Sequence, residues 1–120
     1  MTDSGRYPPP DCKTNTFSNE DLAVLDQSVD DEVELFAALA NDTRYRILRL
    51  VDSIDEPVCG CSLEPHLDVG QSSISQSLSR LRSAGLLTRT KDGRWRYYDT
   101  TPLAETLLES LERDRPMPSL

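Results

Sequence analysis

The chain has 120 residues, a formal net charge of −8 and a hydrophobic share of 37%. That length suits one domain with one modest core. No apolar run approaches the roughly 20 residues of a membrane span, and no apolar signal-peptide core opens the chain, so the expected protein is soluble and cytoplasmic, with no membrane partner. Apolar residues are scarce enough that a small α-rich domain completed by a second copy fits the composition. Cysteines number three, an odd count. Cys59 and Cys61, one residue apart, are poorly spaced to staple each other; in a reducing compartment they read as free thiols or ligands.

Net negative charge argues against nucleic acid, because phosphate contacts draw on Lys and Arg. Its distribution argues the other way. Arg80, Arg82, Arg89, Lys91, Arg94 and Arg96 fall in one stretch whose only acid is Asp92, so that stretch carries +5 and the remainder −13. A bulk-acidic protein with one basic stripe can still lay that stripe on a duplex.

Residues 1–17 hold Pro8, Pro9 and Pro10 without apolar periodicity and read as a flexible N-terminal arm that contains Cys12. Ser18 to Ser28 reads as a helix, with Ser18 and Asp21 as its capping pair and Leu22, Val24 and Leu25 as its apolar face. Seven acids and no base lie between Glu20 and Glu34, which makes a solvated face rather than a phosphate-facing one. Asp30 to Ala40 carries Val33, Leu35, Phe36, Leu39 and Ala40 at helical spacing. Asn41 caps a third helix to Ser53, with Ile47, Leu48, Leu50 and Val51 inside. The Arg residues of this helix, Arg44, Arg46 and Arg49, either offset the acidic helices or touch DNA backbone, and the structural role is the favoured one for Arg46 and Arg49.

Val58 to Cys61 reads as a short strand or extended lead-in. Ser62 is a candidate N-cap for a short helix that buries Leu63 and Leu67. Asp68-Val69-Gly70 is a turn, and Gln71 to Ala84 is a longer helix with Ile74, Leu78 and Leu81 as its core stripe. Gly85 is its natural terminator. Short helix, turn and long helix make a helix-turn-helix. The period then changes from 3.6 to 2: Leu87–Lys91 and Arg94–Thr100 flank Asp92-Gly93 as a hairpin. Trp95 and Tyr97 are expected to face inward and the cations outward. A hairpin in that place is the wing of a winged helix. Pro102 starts a last helix with an apolar stripe of Leu103, Leu107, Leu108 and Leu111. The expected fold is therefore mainly α with a small β-hairpin, a winged helix-turn-helix over residues 18–113 followed by a tail, 114–120. It pairs as a homodimer through its terminal helices, at Leu22, Leu25, Leu103, Leu107, Leu108 and Leu111.

Short polar side chains crowd the first turns of the long helix. Gln71, Ser72, Ser73, Ser75 and Gln76 suit base edges, while Arg80, Arg94 and Arg96 suit phosphates. The partner expected from these residues is double-stranded DNA.

Leu35 to Leu48 (LFAALANDTRYRIL) resembles the hallmark run of the arsenic-repressor/SmtB (ArsR) family of metal-sensing winged-helix repressors. Val58-Cys59-Gly60-Cys61-Ser62-Leu63 is similar to that family's metal box, Ser72 to Leu87 to its recognition helix, and Asp92-Gly93-Arg94 to its wing tip. The chain departs from the family at Ser62, where the family has Asp, at Gly60, where it has Val, and at Glu64, where some arsenic sensors have a third Cys. The last helix has no His, which argues against the zinc and nickel ligand set found there in other members.

The resemblance implies a non-enzymatic repressor on a two-fold operator, released when a thiophilic ion binds Cys59 and Cys61 with Cys12 as third thiol. As(III) or Sb(III) suits three sulfurs; Cd or Pb would need a fourth donor such as water or Glu64. His66 reads as a surface residue. A winged-helix regulator switched by thiol oxidation and a winged helix without a sensor are the alternatives. A small thiol reductase has little support without a redox CxxC.

Overall fold

A computed structural model describes residues 15–27 and 29–114. Its elements are α1 (Asn19–Leu22), α2 (Val29–Leu39), α3 (Asp42–Asp52), β1 (Val58–Cys59), α4 (Gln71–Ser83), β2 (Leu87–Asp92), β3 (Trp95–Thr100) and α5 (Pro102–Asp114). Five helices and one antiparallel sheet of order β1-β3-β2 make a winged helix-turn-helix.

The capping pair forms as expected: the Asp21 N–H donates to Ser18 Oγ and the Ser18 N–H to Asp21 Oδ2. The helix it starts is a single turn, followed by a 3-10 turn over Ala23–Asp26, rather than a helix to Ser28. Leu22, Val24 and Leu25 all stay exposed, and a helix that buries no face has little to hold it beyond one turn. α2 buries only Leu35 and Ala38, while Val33 and Phe36 face solvent.

Asn41 caps α3 as expected, accepting from the Arg44 N–H at 2.9 Å. The Arg44 guanidinium turns back on α2 and donates to the carbonyls of Ala38 at 2.6 Å and Ala37 at 3.2 Å. It thereby satisfies the Ala38 carbonyl that the helix end leaves open, adds to the Ala40 N–H on the Ala37 carbonyl, and ties the α2–α3 corner together. Arg46 pairs with Asp42 of its own helix and Arg49 with Glu112 of α5; both are structural ion pairs, but their partners are not the acidic helices expected.

Ile47, Leu48 and Val51 of α3 meet Ile74, Leu78 and Leu81 of α4, and Leu63, Leu86, Leu87, Tyr98, Ala104 and Leu108 close the core. α5 carries two stripes. Ala104 and Leu108 point inward, whereas Leu103 and Leu111 are exposed and Leu107 is half-buried. Leu108 is thus corrected from a dimer contact to a core residue, because its side chain is already buried within one chain.

Asp52 sits at the end of α3 beside α5. Desolvation above all, with the negative charges of Glu105 and Glu112, raises its carboxyl above the usual 3.8 against the opposing pull of Arg49. The folded state therefore holds this proton more tightly than the unfolded chain does. The ionised carboxylate weakens the fold fully at pH above its raised value, and the penalty fades as pH falls through that value toward 3.8. Asp52→Asn is expected to give a small rise in Tm at pH 7 that is absent at pH 3, read by thermal melts at both.

Candidate nucleic-acid interface and thiol pair

α4 follows Gly70, whose backbone is extended and offers no side-chain cap. Ile74, Leu78 and Leu81 hold its inner face. On the outer face Gln71, Ser72, Ser73, Ser75 and Gln76 are all exposed, as a base-reading surface requires. The helix ends as Gly85 predicted: Gly85 takes φ 81°, its N–H donates to the Arg82 carbonyl, and the Leu86 N–H reaches back to Leu81. This is a Schellman close, with Leu86 and Leu81 packed in the core. Thr101 then ties α5 to the same corner by donating to the Gly85 carbonyl at 2.8 Å while accepting the Ala104 N–H.

Arg80 is less free than its sequence position suggests. Its guanidinium meets Glu34 of α2 at 3.2 Å, beside a polar notch of about 330 Å³ bordered by Asn41, Thr43, Ser73 and Gln76. To reach a phosphate it must exchange that carboxylate.

In the wing, pairing runs from Leu87↔Thr100 to Asp92↔Trp95. The two-residue loop is therefore Gly93-Arg94, one position later than expected. Gly93 (φ 66°) occupies the first loop position, where primed hairpin turns favour glycine. The strand phase is also corrected. Tyr98 is the inward residue at 7% exposure, Tyr97 is half-buried, and Trp95 is exposed. Arg94 and Arg96 are exposed as expected, with Arg89 and Lys91 beside them.

The thiol pair sits where these elements meet. β1 pairs with β3, Val58 opposite Tyr98 and Cys59 opposite Tyr97. Chain beyond Cys59 turns through Gly60–Ser62 in a 3-10 turn, with the Cys61 N–H donating to Cys59 Sγ at 3.4 Å. Cys59 and Cys61 are joined as a disulfide with Cα atoms 5.2 Å apart, inside the usual range for a bridge. This corrects the expectation that their spacing keeps them apart: the tight turn brings both side chains to one side. Cys61 is exposed and Cys59 half-buried.

Ser62 caps nothing. Its third residue onward is Pro65, which has no N–H to donate, and the chain takes a second 3-10 turn over Glu64–His66 instead. Leu63 is nonetheless buried and Leu67 half-buried. Glu64 and His66 are exposed, and among the described residues no three His, Cys, Asp or Glu side chains converge on a metal-sized space. Cys12 lies outside the described residues.

Sequence reasoning missed the role of Gly60. A Cβ built there would lie 3.3 Å from Leu78 Cδ1 of α4 and 3.4 Å from Tyr98 Cε1 of β3. The residue between the two cysteines thus touches both the reading helix and the wing. Its departure from the family's Val was the only available signal.

Residues 41–89 match the model of the bacterial regulatory protein, arsR family. The putative arsenical resistance operon repressor ArsR2 of Halobacterium salinarum is 49% identical over 81 residues, 68% of either chain. The same organism's putative repressor ArsR is 45% identical over 95 residues, covering 79% of this chain and 74% of that protein. The chain belongs to the arsR family. Among solved structures, reduced HlyU from Vibrio cholerae superposes with a TM-score of 0.65 at 26% identity, covering 79% of this chain and 99% of that one. Like its arsR-family relatives, the protein is a DNA-binding transcription regulator. No helix among the described residues is long and apolar enough to cross a membrane.

For this arsR-family chain, Gly60→Val adds a Cβ, already close to Leu78 and Tyr98, and two methyl groups beyond it. The expected cost is about 1–3 kcal/mol of overpacking, measured by urea unfolding. An unchanged midpoint would mean that the turn is not seated as described.

Proposed function

We propose that the protein is a metalloid-responsive repressor. Its homodimer holds a two-fold operator through Gln71, Ser72, Ser73, Ser75 and Gln76, with Arg80, Arg94 and Arg96 on phosphates. Binding of As(III) or Sb(III), or alternatively Cd or Pb, to cysteine thiolates releases it. The observation that carries this reading is the seat of the Cys59-Gly60-Cys61 turn against Leu78 and Tyr98. An event at the two sulfurs cannot leave α4 and the wing untouched. The names of the Halobacterium relatives support the choice of arsenic.

The residues fit a soft ion in part. Two sulfurs that already converge are suited to chelate one thiophilic centre once reduced, and bound ion supplies a fixed bridge between them. The third sulfur of a trigonal set falls to Cys12. The chain's own part is mechanical: Gly60 relays the turn's position, and coupling of about 1–3 kcal/mol would suffice to shift operator affinity. Pairing of two copies is supported by the exposed Leu22, Leu25, Leu103 and Leu111, which one chain leaves in water. The domain is taken as residues 18–113 between an arm and a tail. DNA retention with and without arsenite, under reducing conditions, tests the whole reading; equal retention would exclude metalloid sensing.

The bridged sulfurs favour a second reading, a thiol switch. A peroxide would take two electrons and two protons from the Cys59 and Cys61 thiols, forming the S–S bond and two waters. The bridged pair has no thiolate left to bind an ion. Peroxide treatment that lowers DNA retention together with a loss of two hydrogens from the protein mass would support it.

A further inference from the structure

α4 carries little charge for a helix that faces DNA. From Gln71 to Arg80 the single charged side chain is Arg80 itself. The fold commits that cation elsewhere. Its Nη2 donates to Glu34 Oε1 of α2 at 3.2 Å. The two residues lie 46 positions apart, so the pair is made by the packing of α2 against α4 and by nothing local.

That packing is fixed. Leu35, next to Glu34, and Ala38 are the residues by which α2 enters the core. Glu34 itself stays exposed and Arg80 is half-buried. A carboxylate on a seated helix is always within reach of Arg80, so it competes by geometry rather than by concentration. The pair is also open to exchange. An exposed ion pair is weak, and Arg80 borders the polar notch that Thr43, Ser73, Gln76 and Ser77 line. A phosphate entering there finds hydroxyl and amide donors beside the guanidinium, whereas Glu34 gains one hydrogen bond.

The same helix supplies a comparison. Asp30, Asp31 and Glu32 are exposed and pair with no Lys or Arg among the described residues. Asp31 lies one turn from Glu34 on the same helix face.

We infer that Glu34 is a built-in competitor of DNA phosphate for Arg80. It lowers affinity for any duplex that α4 approaches, because binding includes a carboxylate-for-phosphate exchange at this guanidinium. This rests on the DNA-binding reading above, and the two fail differently.

The test uses the full chain and a duplex selected from a random-sequence pool by the wild-type protein. Binding is followed by fluorescence anisotropy at several salt concentrations. Glu34→Gln should tighten binding about fivefold at low salt, the scale expected when surface ion pairs are released. Glu34→Asp keeps the charge but shortens the reach, and should give part of that gain. Asp31→Asn removes an equal charge without touching Arg80 and should change affinity by less than about twofold. In an Arg80→Gln background, Glu34→Gln should add no more than Asp31→Asn does. The fall of log affinity with log salt should be steeper in Glu34→Gln, because Arg80 then takes a phosphate without returning a carboxylate to solvent. Equal affinity of wild type and Glu34→Gln, or a gain that Asp31→Asn matches, overturns the inference while leaving DNA binding intact. A gain that survives in the Arg80→Gln background also overturns it, by making the effect one of bulk charge. Failure to select or retain any duplex at low salt refutes the DNA reading, and this inference with it.

Discussion

Cys59→Ser is expected to bind DNA within about twofold of wild type, as a substitution of similar size at a half-buried site does, and to lose its response to arsenite. The physical reason lies in the donor. Thiolates are soft and form at accessible pH, whereas a serine hydroxyl stays protonated and hard, so one sulfur is left where two converged. Nothing else in the reading apparatus changes: α4 keeps its core stripe, and Gly60 keeps its seat against Leu78 and Tyr98. Cys61→Ser should behave alike. A Cys12→Ser variant separates the arm from the pair: retained but weaker release, at higher arsenite, is expected if the arm supplies the third sulfur. Titration of DNA retention by fluorescence anisotropy, under a reductant that does not itself chelate arsenite, reads all four proteins. A Cys59→Ser complex that arsenite weakens as much as wild type would place the sensor elsewhere. Peroxide in place of arsenite gives the complementary arm, since only the protein with both cysteines can close a bridge between them.

Much of the frame was legible because each element is announced locally. Asn41 and Gly85 bracket helices by cap chemistry that works over three or four residues. Ile74, Leu78 and Leu81 repeat at helical spacing whatever surrounds them. The change to alternation after Gly85, with a Gly inside it, marks a hairpin. What was not legible depends on which neighbour arrives. Arg44 looks like any polar helix residue until the end of α2 presents two carbonyls to it. Arg80 looks free until Glu34 meets it from 46 residues upstream. Leu108 and Leu111 share one pattern, yet α5 turns the first to the core and the second to solvent. The cysteine spacing gave no warning of a bridge, because it takes the 3-10 turn to aim both sulfurs together. The expected short helix is shortened for a local reason that is open to view: Pro65 removes one of the two donors that a Ser62 cap could use.

Tyr98→Ala is expected to destabilise the fold by about 3–5 kcal/mol, the usual cost of deleting a buried aromatic ring, while Trp95→Ala changes stability by no more than about 0.5 kcal/mol. Alternation alone ranks the two the other way. It marks Trp95 and Tyr97 as the aromatic face and assumes that the aromatic face is inside. Phase in a strand is set by what lies underneath it, and here β1 decides. Val58 pairs with Tyr98, and the chain then folds Gly60 against the Tyr98 ring, so that ring closes the core between α4 and the wing. A loss of this size is a large share of the roughly 5–15 kcal/mol that holds an ordinary domain together. It should also loosen the Cys59–Cys61 turn that leans on the ring. Tyr98→Phe keeps the ring and should recover most of the stability, which separates lost packing from lost polarity. Urea unfolding of the three variants against wild type measures the difference, and a Trp95→Ala protein that unfolds as early as Tyr98→Ala would return the strand to the phase suggested by its pattern.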